Sequence, residues 1–328
     1  MFRNQKDEDT VVKWVFYEVV KHLKEKNCGQ SQRWINNYLT TTKIHKILYD
    51  VFEKNDIAVT RSWYRPGCFI HSPQLSSDNF SALRNRFINT KNSGLRNEAK
   101  KLGIQTESII DALIQTTDIM PPRVDNYIET LYESNVPFGL SNIYTSKYTL
   151  QKSLKQIGRS LQNSHDEFDT VLADTRKNFS SFQMAIYTKD WFDNITDIAS
   201  NFTTIIEQAI LKAQYLLKRN RLFAKQINYI SKMDSFFDNN IWHLFALKTS
   251  AETVKGTRAS IIRESQLSKQ KQKIPITITA LSTLSNELGS MHLTLDWSEY
   301  ATVIKSTHTY EPLRNAVTRM EKLYEGVP

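Results

Sequence analysis

Thirteen lysines and arginines stand between Lys212 and Lys273 against four aspartates and glutamates, and this stretch accounts for the chain's whole +9 excess. Cations gathered in one stretch point to a polyanionic partner more strongly than the same charge spread evenly. Within it, Lys218, Lys225 and Lys232 are seven apart, so on a continuous helix they form one stripe outside the apolar seam, with Arg221 among them. A stiff row of cationic side chains can track a phosphate backbone, and counterion release makes such binding fall with salt. The competing reading is a solvated helix face. Lys255, Arg258 and Arg263 follow, and Lys269-Gln270-Lys271-Gln272-Lys273 reads as an exposed linker.

Little else in the chain is arranged for chemistry. There is no phosphate-binding glycine loop, no His-Glu-x-x-His helix and no Gly-x-Ser-x-Gly elbow. The seven histidines are scattered without ligand spacing, and Cys28 and Cys68 cannot alone make a disulfide framework or a four-ligand zinc site. Both read as reduced thiols. Arg65 and His71 match the loose Arg-x(4–6)-His spacing of the HEPN ribonucleases. That family sets the pair on a helix, and here it straddles a hairpin. No catalytic residue, metal or cofactor is expected, and the chain reads as non-enzymatic.

The elements that position these cations come next. Thr10 can cap a helix to about Lys26, whose Val11, Val12, Trp14, Val15, Phe16, Val19, Val20 and Leu23 cover more than one face. Ser31 opens a short helix through Trp34, Ile35, Tyr38 and Leu39. Thr41 or Thr42 caps a third helix carrying Ile44, Ile47, Leu48, Val51 and Phe52. Two β-prone runs, Ile57 to Tyr64 and Cys68 to His71, flank the turn Arg65-Pro66-Gly67. Three helices and a hairpin are the order of a winged helix. DNA binding through it would set Lys43, His45 and Lys46 of the third helix, with Arg61 and Arg65 of the wing, at phosphates or base edges. Otherwise Lys43 and Lys46 are the solvated face of an amphipathic helix.

Lys43-Ile44-His45-Lys46-Ile47-Leu48-Tyr49, followed by Ser62-Trp63-Tyr64-Arg65-Pro66-Gly67, resembles uncharacterised prokaryotic, mainly archaeal, winged-helix-like domains. Those join a Lys-x-x-Lys-Leu-Leu-Tyr helix to a Trp-Tyr-Arg-Tyr-Gly-Pro hairpin. The helix is also similar to the opening of the Panacea domain, which is associated with antitoxins. The resemblance covers about 60 residues and implies a winged-helix fold there, with a place in a toxin-antitoxin or defence system as one functional class. Pro66 stands where the family has an aromatic residue, and Cys68 where it has proline.

Short helices are expected at 80–89, 93–102, 106–117 and 121–134, with a boundary at Asn135 to Ser141. From Arg159 to Lys255 there is no Gly or Pro. Apolar residues there recur in steps of four and three: Trp191, Ile195, Ile198, Phe202, Ile205, Ala209. The seam is interrupted at Lys212 and resumed by Phe223, Ile227 and Ile230. This spacing predicts two long helices turning near Tyr187-Thr188-Lys189-Asp190 and packed antiparallel. Phe236, Phe237, Trp242, Leu244, Phe245 and Leu247 mark a buried end or a patch for a partner helix. After Pro275, Ile276 to Thr279 and His292 to Leu295 alternate like strands, and further helices are expected at 297–306 and 311–324.

The fold expected is mainly α: a winged-helix-like domain at 1–90, a short-helix connecting region at 91–140, a long helical hairpin at 141–265, and a basic linker with C-terminal helices at 266–328. A polar N-terminus and the lack of a long apolar run predict a cytoplasmic protein without a membrane partner. Two functional readings stay open. One is a nucleic-acid-associated or regulatory protein contacting DNA or RNA through Lys43, Lys46, Arg61, Arg65, Lys218, Arg221, Lys225 and Lys232. The other is a structural or adaptor protein that binds other proteins through both the winged-helix part and the long helices, the latter also able to take a second copy of itself.

Overall fold

The computed structural model describes residues 2, 4–26, 32–65, 67–90, 94–119, 136, 139–163 and 167–306. The helices expected at 121–134 and 311–324 lie outside them, as do Cys28, Ser31 and Pro66. The described chain is mainly helical. It divides into one unit of Met1–Ser141 with Ala246–Gln270, and another of Asn142–Phe245 with Lys271–Pro328.

In the first unit, α1 (Gln5–Lys26) is buried nearly all round, as its apolar residues on several faces require. Three helices pack on it: α4 (Ser77–Asn89), α5 (Leu95–Lys101) and α6 (Thr106–Ile119). Phe16 anchors the contact, stacked on Phe80 at 5.5 Å and edge-on to Phe87 at 5.4 Å. After the short α2 (Gln32–Tyr38) comes α3 (Thr41–Lys54), whose N-cap is Thr40, its hydroxyl accepting from the Lys43 N–H. α3 lies between α6 and the hairpin β1 (Arg61–Tyr64) and β2 (Gly67–Ile70), which pairs antiparallel with Trp63 opposite Cys68.

The free edge of β1 is covered by a distant segment. Arg61 and Lys255 exchange both backbone hydrogen bonds, at 3.0 and 2.9 Å, adding a one-residue third strand. The next residue, Gly256, has φ +105 and sits against the Thr60 backbone, where an added Cβ would lie 2.6 Å from Thr60 Cα. Only glycine fits that conformation and that approach. Gly256→Ala is expected to cost about 2–4 kcal/mol. Urea denaturation of the full chain checks this, and a loss under about 0.5 kcal/mol would mean that the contact is not maintained.

Arg258 completes the closure. Its guanidinium donates to Glu8 at 3.0 and 3.2 Å and to the His71 carbonyl, while Glu8 also accepts from the Thr60 N–H and hydroxyl. Glu8 is 1 % exposed, so the pair is buried, and its many hydrogen bonds offset the loss of water.

In the second unit, α7 (Ser141–Asn163), α8 (Phe168–Tyr187) and α9 (Asp193–Leu217) form the long elements. The chain turns between α8 and α9 through Thr188 and a 3-10 turn at Asp190–Phe192, and the two helices pack together. Then come α10 (Ala224–Ile230), α11 (Met233–Phe236), a π-helical turn at Phe237–Trp242 and the start of α12 (His243–Thr253), which from Ala246 on belongs to the first unit. The aromatic cluster is a buried end: Phe237, Trp242, Leu244, Phe245 and Leu247 are buried, and Phe182 is edge-on to Phe237 at 5.3 Å and Phe245 at 5.8 Å.

Three expectations about this region are corrected. Residues 269–273 are not a linker and 276–279 are not a strand. All belong to α13, a continuous helix over Ala259–Ser290 with Pro275 inside it. The Lys/Gln run favours a helix, and within it Thr277 is fully buried while Ile276 and Ile278 are 58 % and 50 % exposed, the reverse of a strand with an apolar inner face. The His292–Leu295 alternation is not a strand but a connection to α14 (Trp297–Ser306). Lys212, which breaks the apolar seam, is 9 % exposed and paired with Glu299 of α14.

Candidate nucleic-acid interface

The cations expected to face DNA from the first unit are turned inward. Lys43, Lys46 and Arg61 are 1 %, 2 % and 4 % exposed. Every residue from Lys43 to Tyr49 is buried, because α6 and β2 cover what the sequence presents as the polar face of α3. Lys43 Nζ lies 3.7 Å from the Tyr38 ring centroid, and burial lowers its pKa to about 8. Burial also lowers the pKa of Lys46. Arg61 donates to the carbonyls of Ile57 and Val59 and to Glu53. Arg65, at the hairpin turn, is half-buried. Neither the DNA-facing nor the solvated-face expectation for Lys43 and Lys46 holds: a helix whose residues 43–49 are all buried cannot present them to a groove.

Below the hairpin is a compact polar network. His45 Nδ1 accepts from the Ile70 N–H at 3.1 Å, with its ring stacked on Phe69 at 4.3 Å. The Ser62 hydroxyl lies 2.8 Å from both His71 Nε2 and the Ser250 hydroxyl. Burial lowers His45 to about 3 and His71 to about 4, so both rings are neutral at physiological pH. Ser62 is next to a histidine, as a nucleophile needs. It is also 0 % exposed, with its hydroxyl engaged on two sides, so the arrangement ties the hairpin down rather than offering an attack path. His71 uses its side chain here, not with Arg65.

The cations expected at an interface in the second unit point outward. The regular stripe of Lys218, Lys225 and Lys232 does not form, because α9 ends at Leu217 and Lys218 becomes its C-cap. Lys218 pairs with Asp169 at 3.2 Å. The chain then turns through Asn220, at φ +53, before α10 begins. Arg221 in that turn, Lys225 on α10 and Lys232 just beyond it are exposed. Lys225, Asn228 and Lys232 share the outer face at helical spacing, while Gln226, Tyr229 and Ile230 point inward. The Tyr229 hydroxyl donates to the Leu284 carbonyl at 2.8 Å, fixing α10 on α13.

α7 supplies a second row that the sequence reading passed over. Lys152, Lys155 and Arg159 are exposed at positions i, i+3 and i+7, spread over about 10 Å of helix axis. Their spacing was visible in the sequence, as was the absence of any carboxylate in α7. Gly158 joins the two rows: a Cβ there would lie 3.0 Å from Ser231 Oγ, and Gln162 donates to that hydroxyl at 3.4 Å. Arg159 and Lys232 are the next residues in sequence on either side of that contact. Among the described residues, none of Lys152, Lys155, Arg159, Arg221, Lys225 and Lys232 forms an ion pair or a side-chain hydrogen bond.

Phe223 was expected to resume the apolar seam and does not. It is 63 % exposed, in extended conformation at the N-cap of α10. A cavity of about 360 Å³ elsewhere in this unit is lined by Arg176, Glu207, Asp296 and Tyr300; burial raises the Glu207 pKa against the opposing effect of Arg176. Among the described residues, no group of His, Cys, Asp or Glu could hold a metal, and no helix is long and apolar enough to cross a membrane.

No curated protein and no solved structure matches the chain. A family model does match, over residues 4–320, and its description is a domain of unknown function, DUF8098. The chain belongs to that family.

Proposed function

We propose that this is a non-enzymatic, nucleic-acid-associated protein that contacts DNA or RNA through the basic face of its second unit. The observation that carries this reading is the pair of cation rows on α7 and α10, brought together where Gly158 meets Ser231 and left without carboxylate partners among the described residues. Unneutralised charge on rigid helices keeps its attraction for phosphates, whereas charge already paired has little left to give. The order of α1–α3 and the hairpin supports a winged-helix-like first unit. With its third helix enclosed, this unit serves as a packing or protein-contact module in a cytoplasmic, regulatory role.

The test is a titration of the full chain with DNA and RNA at several salt concentrations. Micromolar or tighter binding is expected at low salt. Six cations on phosphates would give a log–log salt slope of about −4 on single strands and about −5 on duplex. No binding at 50 mM salt would remove this reading and leave the structural or adaptor role.

A further inference from the structure

We infer that the polymer this surface takes is single-stranded, with a base stacked on Phe223. The inference rests on the nucleic-acid reading above and adds to it the class of ligand. Its starting point is an aromatic ring held out in solvent by a buried clamp. The Phe223 N–H donates to Gln226 Oε1 at 2.9 Å, and Gln226 is 4 % exposed and donates through Nε2 to the Met291 carbonyl at 2.8 Å. The preceding turn is equally fixed. The N–H groups of Lys218, Arg219, Asn220 and Arg221 all donate to carbonyls at the end of α9. The ring is therefore presented by an ordered backbone, which lowers the ordering cost of a contact made there.

Charge surrounds that ring. Arg221 lies two residues before it and Lys225 two residues after, both exposed. At the end of α9 a second planar group is set: the Arg219 guanidinium stacks on Tyr215, 3.7 Å from the ring centroid. From Phe223 the cations continue along α10 to Lys232, then across the Gly158 junction to Arg159, Lys155 and Lys152. A positively charged track with aromatic and guanidinium planes at one end is the combination that binds unpaired strands. Phosphates follow the track, and every base has a face to stack. A duplex hides those faces, so it would use the cations and leave Phe223 idle.

The experiment compares a labelled single strand of mixed sequence with its duplex, binding to the full chain by fluorescence anisotropy at one salt concentration. The expected result is tighter binding of the single strand. Phe223→Ala is expected to weaken it by roughly 5- to 100-fold without changing the salt slope, because no charge is removed. Duplex affinity should not move, and Phe223→Trp should restore single-strand binding. Phe223 is exposed, so both variants keep the fold, which circular dichroism checks. Equal binding of strand and duplex, with neither affected by Phe223→Ala, overturns the stacking inference and leaves the electrostatic reading standing. Loss of both on Phe223→Ala also overturns it. No binding of either form overturns both readings, as would Phe223-dependent binding to phosphatidylserine vesicles alone.

Discussion

Replacing Arg159, Lys225 and Lys232 together by glutamate is expected to weaken nucleic-acid binding by roughly a hundredfold or more at 50 mM salt, and to flatten the single-strand salt slope by about 2. The three residues were chosen for what they do not do. All are exposed, and among the described residues none is tied to a neighbour, so their reversal should leave folding intact. They also lie on both sides of the Gly158–Ser231 junction, so their joint effect reports on one continuous surface. Lys218→Glu is the internal comparison. Because that ammonium already faces Asp169, its reversal should change the slope less than reversal of Lys225 alone. Lys43→Gln and Lys46→Gln should leave the slope where it was, since neither side chain reaches solvent. A slope that responds to Lys43 or Lys46 instead, with the triple reversal silent, would sink the assignment.

These contrasts also show where the sequence was readable. The turn between the long helices was legible in the steps of four and three, and in a Gly- and Pro-free stretch that leaves no cheap place to stop. Its two flanking glycines, Gly158 and Gly256, both prove to be points where backbone approaches other chain closely. That fact needs the partner segment to be seen. Lys43 and Lys46 were misread for a related reason: periodicity separates the apolar face of a helix from the polar one, but cannot tell whether a distant α6 or β2 will cover the polar one too. Phe223 was misread because the apolar spacing was carried through the turn at Asn220, where the helix phase is lost. The alternation at Ile276 to Thr279 has a strand's period, and the surrounding helix overrode it. The α7 cations were in plain view at helical spacing, but lay outside the stretch where net charge drew notice.

The buried network beneath the hairpin predicts how the first unit responds to acid. His45 has its pKa lowered to about 3, first by burial and then by His71 and Lys46 nearby. His71 is lowered to about 4 by burial, with Arg258 and Lys269 adding to it. In the unfolded chain both return to about 6.5. Below that pH the unfolded chain takes up protons that the folded one refuses, so stability falls as pH falls from about 6.5 towards 3 to 4. Within that window each contributes a loss of about 1.4 kcal/mol per pH unit, roughly 2 kcal/mol by pH 5, and the loss from His71 levels off sooner, near pH 4 rather than 3. The depressed carboxylate of Glu53 works in the same direction, but only at lower pH. Urea denaturation at pH 7.5, 6.5, 5.5 and 5.0 measures the loss, and a stability unchanged across that range would contradict it. His45→Gln is the diagnostic variant, since its amide oxygen can still accept from the Ile70 N–H while nothing at that position titrates. It should cost some stability at pH 7.5 and show a shallower decline below 6.5. The reason is geometric as well as electrostatic. Once His45 Nδ1 carries a proton it can no longer accept from Ile70, and the bond that fastens β2 to α3 is lost with it.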